Sequence, residues 1–270
     1  MFKELKNYKN YLKSNSLDKL LQIEIESYGE VEKKATSANY GITSDVDKPL
    51  LAELDDLVRL HWLVVSRKVS TILEFGVGYS TAVFDHALKL NKEKYASFFE
   101  RNLRREDSFK CFSVDASKKW IDNCKRQFKT DLVEYFHSEC VMSTFNGRAC
   151  TFYDVLPNVC PDLIYLDGPD QYSVLGDVRG ISTRHPSRLP MAADILALEH
   201  FLLPGTLICV DGRTANARFL KANLQRNWSY FHHEEFDQHF FELVEVPLGI
   251  WNKGLIDFCL GEKFYERVKS

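Results

Sequence analysis

What this 270-residue sequence is short of narrows the field before any motif is read. It has seven cysteines, at 111, 124, 140, 150, 160, 209 and 259, but none forms a C-x-x-C pair. An odd count cannot close entirely into intramolecular bridges, so neither a disulfide framework nor a paired-thiolate zinc module is expected. Several cysteines lie in apolar runs, as Cys209 does in LICV, where a thiol behaves as a small hydrophobe. Reduced, buried thiols in a cytoplasmic protein are the expectation. Long apolar runs are missing too. The strongest, FLLPGTLICV at 201–210, is broken by Pro204 and Gly205 and is too short to cross a bilayer, so no membrane association is expected. The opening MFKELKNYKNYLKSNS is basic but no apolar core follows it, so no signal peptide is predicted. A formal charge of only −3 supplies no global attraction to nucleic acid or to an anionic membrane. Repeats and low-complexity tracts are absent as well.

What is present reads as a soluble α/β chain, 45% hydrophobic and 27% charged. Residues 1–35 carry apolar residues at helical spacing (Leu17, Leu20, Leu21, Ile23, Ile25). Residues 36–49 have loop composition, and Asp47 with Pro49 marks the start of an amphipathic helix from Leu50 to Lys68. We therefore read 1–68 as a helical extension, able to act as a lid (with Tyr40 closing over a ligand) or as a contact in a homo-oligomer. From residue 69 short apolar runs alternate with helical stretches. Strands are predicted at VSTILEFG (69–76), KCFSVD (110–115), LVEYFH (132–137), DLIYLDG (162–168) and TLICVDG (206–212), with WSYFHHEEF and QHFFELVEVP as two closing strands. Helices are predicted at 80–90, after Asp115, at about 190–202 and after Gly212. Near-continuous apolar strands separated by helices predict a doubly wound, mostly parallel seven-stranded sheet with helices on both faces, over 69–270.

Ligands of such sheets sit at the carboxyl ends of the strands. Four strands here end in an acidic residue or a glycine turn: Glu74-Phe-Gly76-Val-Gly78, Asp115, Asp167-Gly168 and Asp211-Gly212. Carboxylates gathered at one edge repel unless a cation or a hydroxyl-bearing ligand lies between them. A dinucleotide loop would read G-x-G-x-x-G, but Thr81 stands where the third glycine should be. Glu74, two residues before Gly76, would oppose a pyrophosphate, which disfavours a nicotinamide dehydrogenase. A carboxylate there suits a cationic, zwitterionic ligand better.

ILEFGVGYST resembles the first motif of class I, Rossmann-like S-adenosylmethionine (SAM) dependent methyltransferases, and the resemblance spans roughly 69–246. It implies that Glu74, Gly76, Gly78 and Ser80 hold the methionine part of SAM, that Asp115 takes the ribose hydroxyls, and that Asp167 lies beside the transferable methyl group. Asp115 follows Gly78 by 37 residues, a longer spacing than is usual in the family. The charged run 91–107, read as a solvated helix extension, accounts for the difference. Where nucleobase N-methyltransferases carry Asn/Asp-Pro-Pro-aromatic, this chain has Asp167-Gly168-Pro169-Asp170-Gln171-Tyr172. That departure points to a small-molecule or glycan-like acceptor, methylated at oxygen. Asp167, Asp170 and His185 are the candidates for removing its proton. Asp167 and Asp211 also match the two carboxylates with which catechol-type members hold Mg2+, although Gly212 replaces their asparagine and Asn216 is not equivalent. The polar stretch 177–190, with Arg179, Arg184, His185 and Arg188, is expected to shape the acceptor pocket. His232, His233 and His239 form a further cluster, but adjacent strand residues face opposite ways, so 232 and 233 are not expected to share an ion. Two other readings keep the fold: an aminopropyltransferase, disfavoured by the basic loop, and a SAM-binding partner protein without catalysis.

Overall fold

The computed structural model describes residues 2–22, 54–185 and 187–269. Tyr40 and the predicted helix start at Asp47 and Pro49 lie outside the described residues. Ten strands follow in chain order: β1 (Thr71–Phe75), β2 (Lys110–Asp115), β3 (Val133–His137), β4 (Cys140–Phe145), β5 (Arg148–Tyr153), β6 (Leu163–Leu166), β7 (Val174–Leu175), β8 (Leu207–Asp211), β9 (Trp228–His233) and β10 (Gln238–Leu243). The helices are α1 (Tyr8–Ser14), α2 (Leu17–Leu21), α3 (Leu54–Ser66), α4 (Tyr79–Asn102), α5 (Lys118–Gln127), α6 (Asp194–Leu198), α7 (Thr214–Asn223), α8 (Gly249–Cys259) and α9 (Glu262–Val268).

Seven strands form the main sheet in the order β3-β2-β1-β6-β8-β10-β9. The first five are parallel, while β10 runs antiparallel to both β8 and β9. The strand order reverses between β1 and β6, which makes their carboxyl ends the switch point where ligands bind in doubly wound sheets. The chain therefore has a doubly wound, Rossmann-like sheet, with all seven predicted strands in place. Every residue of β1 is buried, as expected for a central strand covered on both faces.

One face is covered by α1 to α4. Leu12, Leu17 and Leu21 share a core with Leu57 and Val58 of α3 and with Ile72, Cys111, Leu163 and Leu207 of the sheet. The N-terminal helices are thus a layer of the main core and not a body standing apart from it. Each fully buried side chain of this size contributes on the order of 1.5–3 kcal/mol relative to exposure.

The other face departs from the expectation of helices throughout. Between β3 and β6 the chain makes the hairpin β4–β5, which joins β7 in a three-stranded sheet. Its Cys140, Cys150 and Tyr153 pack with Leu73, Phe75, Phe112 and Val114 of the main sheet. The Tyr153 ring stacks on Phe75 with centroids 5.6 Å apart. The turn is Asn146-Gly147, both at positive φ, the pair that a tight hairpin demands. The predicted helix at 190–202 is shorter, α6 followed by a 3-10 turn over Glu199–Phe201.

The charged run 91–107 is also more than a solvated surface. It completes the 24-residue α4, and Phe99 is buried against Phe109 and Leu255 of α8. Arg105 then turns inward, donating to Asp162 Oδ1 (2.6 Å), Cys160 O (2.8 Å) and Thr71 Oγ1 (3.0 Å). Asp162 Oδ2 accepts from the amides of Ser70 and Thr71, so this pair ties the entry to β1 to the entry to β6.

Asp194 secures the small sheet, its Oδ1 accepting the Tyr153 amide at 2.9 Å while Oδ2 is buried without a partner. Burial pushes its carboxyl up to about 7 from an ordinary 3.8. The native state therefore holds a proton that the unfolded chain releases, and the corresponding stability, full below pH 3.8, is lost as pH rises through about 7. Asp194→Asn keeps the oxygen acceptor and removes the charge. Its unfolding free energy should lack a decline on the order of 4 kcal/mol that the native protein shows over that window, as read by urea denaturation at a series of pH values.

Candidate active site

The switch point is built by two backbones in direct contact. Gly76 has φ +99°, and a Cβ there would lie 3.0 Å from Asp167 C and Gly168 N. A Cβ on Gly168 would lie 2.7 Å from Gly76 N. Only glycine at both positions lets the loops after β1 and β6 touch. Gly76 N–H donates to Val114 O and Asp167 N–H to Phe75 O, so the ends of β1, β2 and β6 form one rigid edge. Gly78 differs: its φ of −175° is ordinary extended backbone, and nothing lies within 4 Å of a Cβ built on it. The loop is closed below Gly76 and open above Gly78.

Glu74 does not face that opening. Its carboxylate is fully buried and accepts three hydroxyls, Ser113 Oγ at 2.5 Å, Ser80 Oγ at 2.6 Å and Thr81 Oγ1 at 2.7 Å. Thr81 Oγ1 also accepts the Gly78 amide at 3.1 Å. Burial raises Glu74 to about 7, and the three hydroxyls and the nearby Asp167 charge modify that rise. Glu74 and Ser80, expected to touch the ligand, therefore spend their polar atoms on each other. Glu74 bonds the start of α4 to β2 and so sets the shape of the Gly76–Gly78 loop.

Asp115 closes β2 beside that loop. Its Oδ2 accepts the Val77 amide (2.9 Å) and its Oδ1 the Ser117 amide (2.7 Å). Burial raises its pKa, against the pull of those two amides. A carboxylate offers about four lone-pair sites, so each oxygen keeps capacity for one more donor. Asp115 thus has capacity for two further donors.

Across the switch point, Arg213 clamps the loop after β6. Its guanidinium donates to Asp167 O (2.5 Å) and Pro169 O (3.0 Å), and Nε lies 3.5 Å from Asp167 Oδ1. Sequence reasoning missed this residue, because nothing local distinguishes Arg213 from a surface cation at a helix start. Asp211, one strand over, accepts the Tyr165 hydroxyl at 2.6 Å. Burial and then the Asp167 charge raise Asp211 to about 7. Asp170 is exposed, and its Oδ1 accepts the Tyr172 amide. His185 lies on the exposed stretch that bends over this loop, which Thr183 holds by donating to Gln171 O at 2.6 Å. Arg179, Arg184 and Arg188 are exposed on the same stretch.

The residues do not fit the expected Mg2+ site. Among the described residues no third metal-ligating side chain joins Asp167 and Asp211. The Arg213 guanidinium stands 3.5 Å from Asp167 Oδ1, and Asn216 is buried with its amide engaged by Ala192. A cation is already provided there, by the protein.

No protein-family model matches the chain, and no curated protein matches it. Solved structures do. One is the O-methyltransferase TomG of Streptomyces achromogenes, involved in tomaymycin synthesis, in complex with SAM. It is 15% identical, with a TM-score of 0.39, over 84% of this chain and 93% of that one. Another is CalS11, a TDP-rhamnose 3'-O-methyltransferase of calicheamicin biosynthesis, 13% identical with a TM-score of 0.42 over 81% and 94%. A third is the O-methyltransferase of Bacillus cereus in complex with SAH, 13% identical with a TM-score of 0.39 over 87% and 98%.

The two loop glycines should separate in a stability assay. Gly168→Ala drives a methyl into backbone and should cost about 1–3 kcal/mol in urea unfolding. Gly78→Ala meets open space and should cost no more than about 1 kcal/mol, the difference between glycine and alanine at a helix N-cap.

Proposed function

We propose that the chain is a SAM-dependent methyltransferase acting on a hydroxyl of a small-molecule or glycan-like acceptor. The observation that carries this reading is the open cradle between Gly78 and Asp115, at the switch point of the sheet and at the N-terminus of α4. SAM, when bound, supplies a methyl group on a positively charged sulfur. Asp115 would take the ribose hydroxyls on its two remaining lone-pair positions, and the Gly76–Gly78 backbone would hold the amino-acid part. Glu74 acts at one remove, by keeping that loop in shape.

Methyl transfer is an in-line displacement, so alignment and removal of the acceptor's proton are what the protein adds. Asp167 is our first choice for that proton, since Arg213 holds its loop and its charge is felt at Asp211 one strand over. Asp170 and His185 lie on the same side and would orient the acceptor. The exposed Arg179, Arg184 and Arg188 suit an acceptor bearing phosphate or carboxylate. Leu20 of α2 packs on the same Ala82–Cys124–Phe128 cluster as Val77 and Tyr79 at the ligand loop, which supports a covering role for the N-terminal segment. All seven cysteines are free thiols, which suits a reducing compartment such as the cytoplasm, and no helix among the described residues is long and apolar enough to cross a membrane.

Calorimetric titration with SAM tests the assignment. The native protein should bind with micromolar affinity, and Asp115→Ala should weaken binding at least about tenfold. Absence of binding by the native protein would remove the reading. Once an acceptor is found, the pH profile of kcat/KM tests the Asp167–Asp211 pair. Asp211→Asn deletes the negative neighbour and should move the acidic limb to lower pH. An unmoved limb would place the base elsewhere.

A further inference from the structure

The closing hairpin carries a cluster that the proposed chemistry does not use. In β9 and β10, His232 stands opposite His239 in the register, and their rings stack with centroids 3.8 Å apart. Asp237 occupies the turn just before β10. His232 Nε2 lies 3.3 Å and His239 Nε2 3.4 Å from the same oxygen, Asp237 Oδ1. One ligand atom from each residue falls within 4.8 Å of both others. We infer that His232, Asp237 and His239 form a binding site for a divalent transition-metal ion of the zinc type.

The spacing supports a shared ion over a simple ion pair. Tetrahedral zinc with bonds of about 2.0–2.1 Å separates its ligand atoms by about 3.3–3.4 Å, the two distances observed. A fourth donor atom is at hand, since Thr214 Oγ1 lies 3.0 Å from His239 Nε2 and 2.6 Å from Asp237 Oδ1. The other ring nitrogen of His239, Nδ1, is hydrogen-bonded to the Tyr230 hydroxyl at 2.9 Å, the outer support that ligating histidines have; with Nδ1 donating to that oxygen, the Nε2 lone pair points to the ion. Two imidazoles and one carboxylate favour zinc, nickel, cobalt or copper over magnesium or calcium. Entry is open: His239 is buried, but His232 is 27% and Asp237 52% exposed.

The position gives the ion a use. Gly212 N–H donates to Asp237 O, and Gln238 pairs with Asp211 in the sheet. An ion here would brace the 211–214 segment, from which Arg213 reaches the loop after β6. The inference does not depend on methyl transfer, and its test uses none.

Tag-free full-length protein is titrated with Zn2+ alone, by calorimetry and by competition with a chromophoric chelator. One equivalent should bind at micromolar affinity or tighter and raise the melting temperature, while Mg2+ does neither. His232→Ala and Asp237→Asn, both at partly exposed positions, should each weaken that binding tenfold or more yet melt with the metal-free native protein. Should His232→Ala fold poorly, Asp237→Asn decides alone. Equal zinc affinity in the folded variants would place the ion elsewhere, at thiols for instance, and overturn the site. Binding no tighter than millimolar by the native protein would overturn it as well.

Discussion

A single buried carboxylate organises this molecule's ligand edge. Glu74 sits near the carboxyl end of the central strand with no exposure, and three hydroxyls from two other elements converge on it. An ionisable group so enclosed is costly unless every lone pair is served, and the service is what fixes the geometry. Ser80 and Thr81 bring the start of α4 down onto β1, and Ser113 binds β2 to the same point. The Gly76–Gly78 loop has no freedom left except at its open side.

From that point the rest of the site follows by contact. The fixed loop presses Gly76 against Gly168, which places the turn after β6, and Arg213 holds the turn from the far side. Asp115 completes the edge with its two oxygens anchored by backbone amides. The protein has thus provided its own cation beside Asp167, the Arg213 guanidinium. The small sheet β4–β5–β7 supports the same edge from beneath through Tyr153 on Phe75.

Much of the fold was legible because buried strands announce themselves by composition. The seven strands of the main sheet coincide with apolar runs, and their acidic or glycine ends were readable as a set. The β4–β5 hairpin escaped notice, although Asn146-Gly147 between two alternating runs (CVMSTF and RACTFY) is a strong hairpin signal. Helix α8 was missed because its docking depends on Phe99 and Phe109, far away in sequence. The histidine cluster was half legible. Alternation separated His232 from His233, but pairing His232 with His239 requires the cross-strand register.

By itself the sequence determined the class of fold, the edge at which a ligand binds and the residue types offered there, because hydrophobic period and strand-end chemistry are local properties. Only the tertiary structure decided what those residues do. Glu74 turns inward because its three partners come from elements up to 39 positions away. Asp167 is met by a guanidinium 46 positions away instead of a metal. Whether a carboxylate faces a ligand or a neighbour is settled by what the fold packs against it, and no local pattern encodes that.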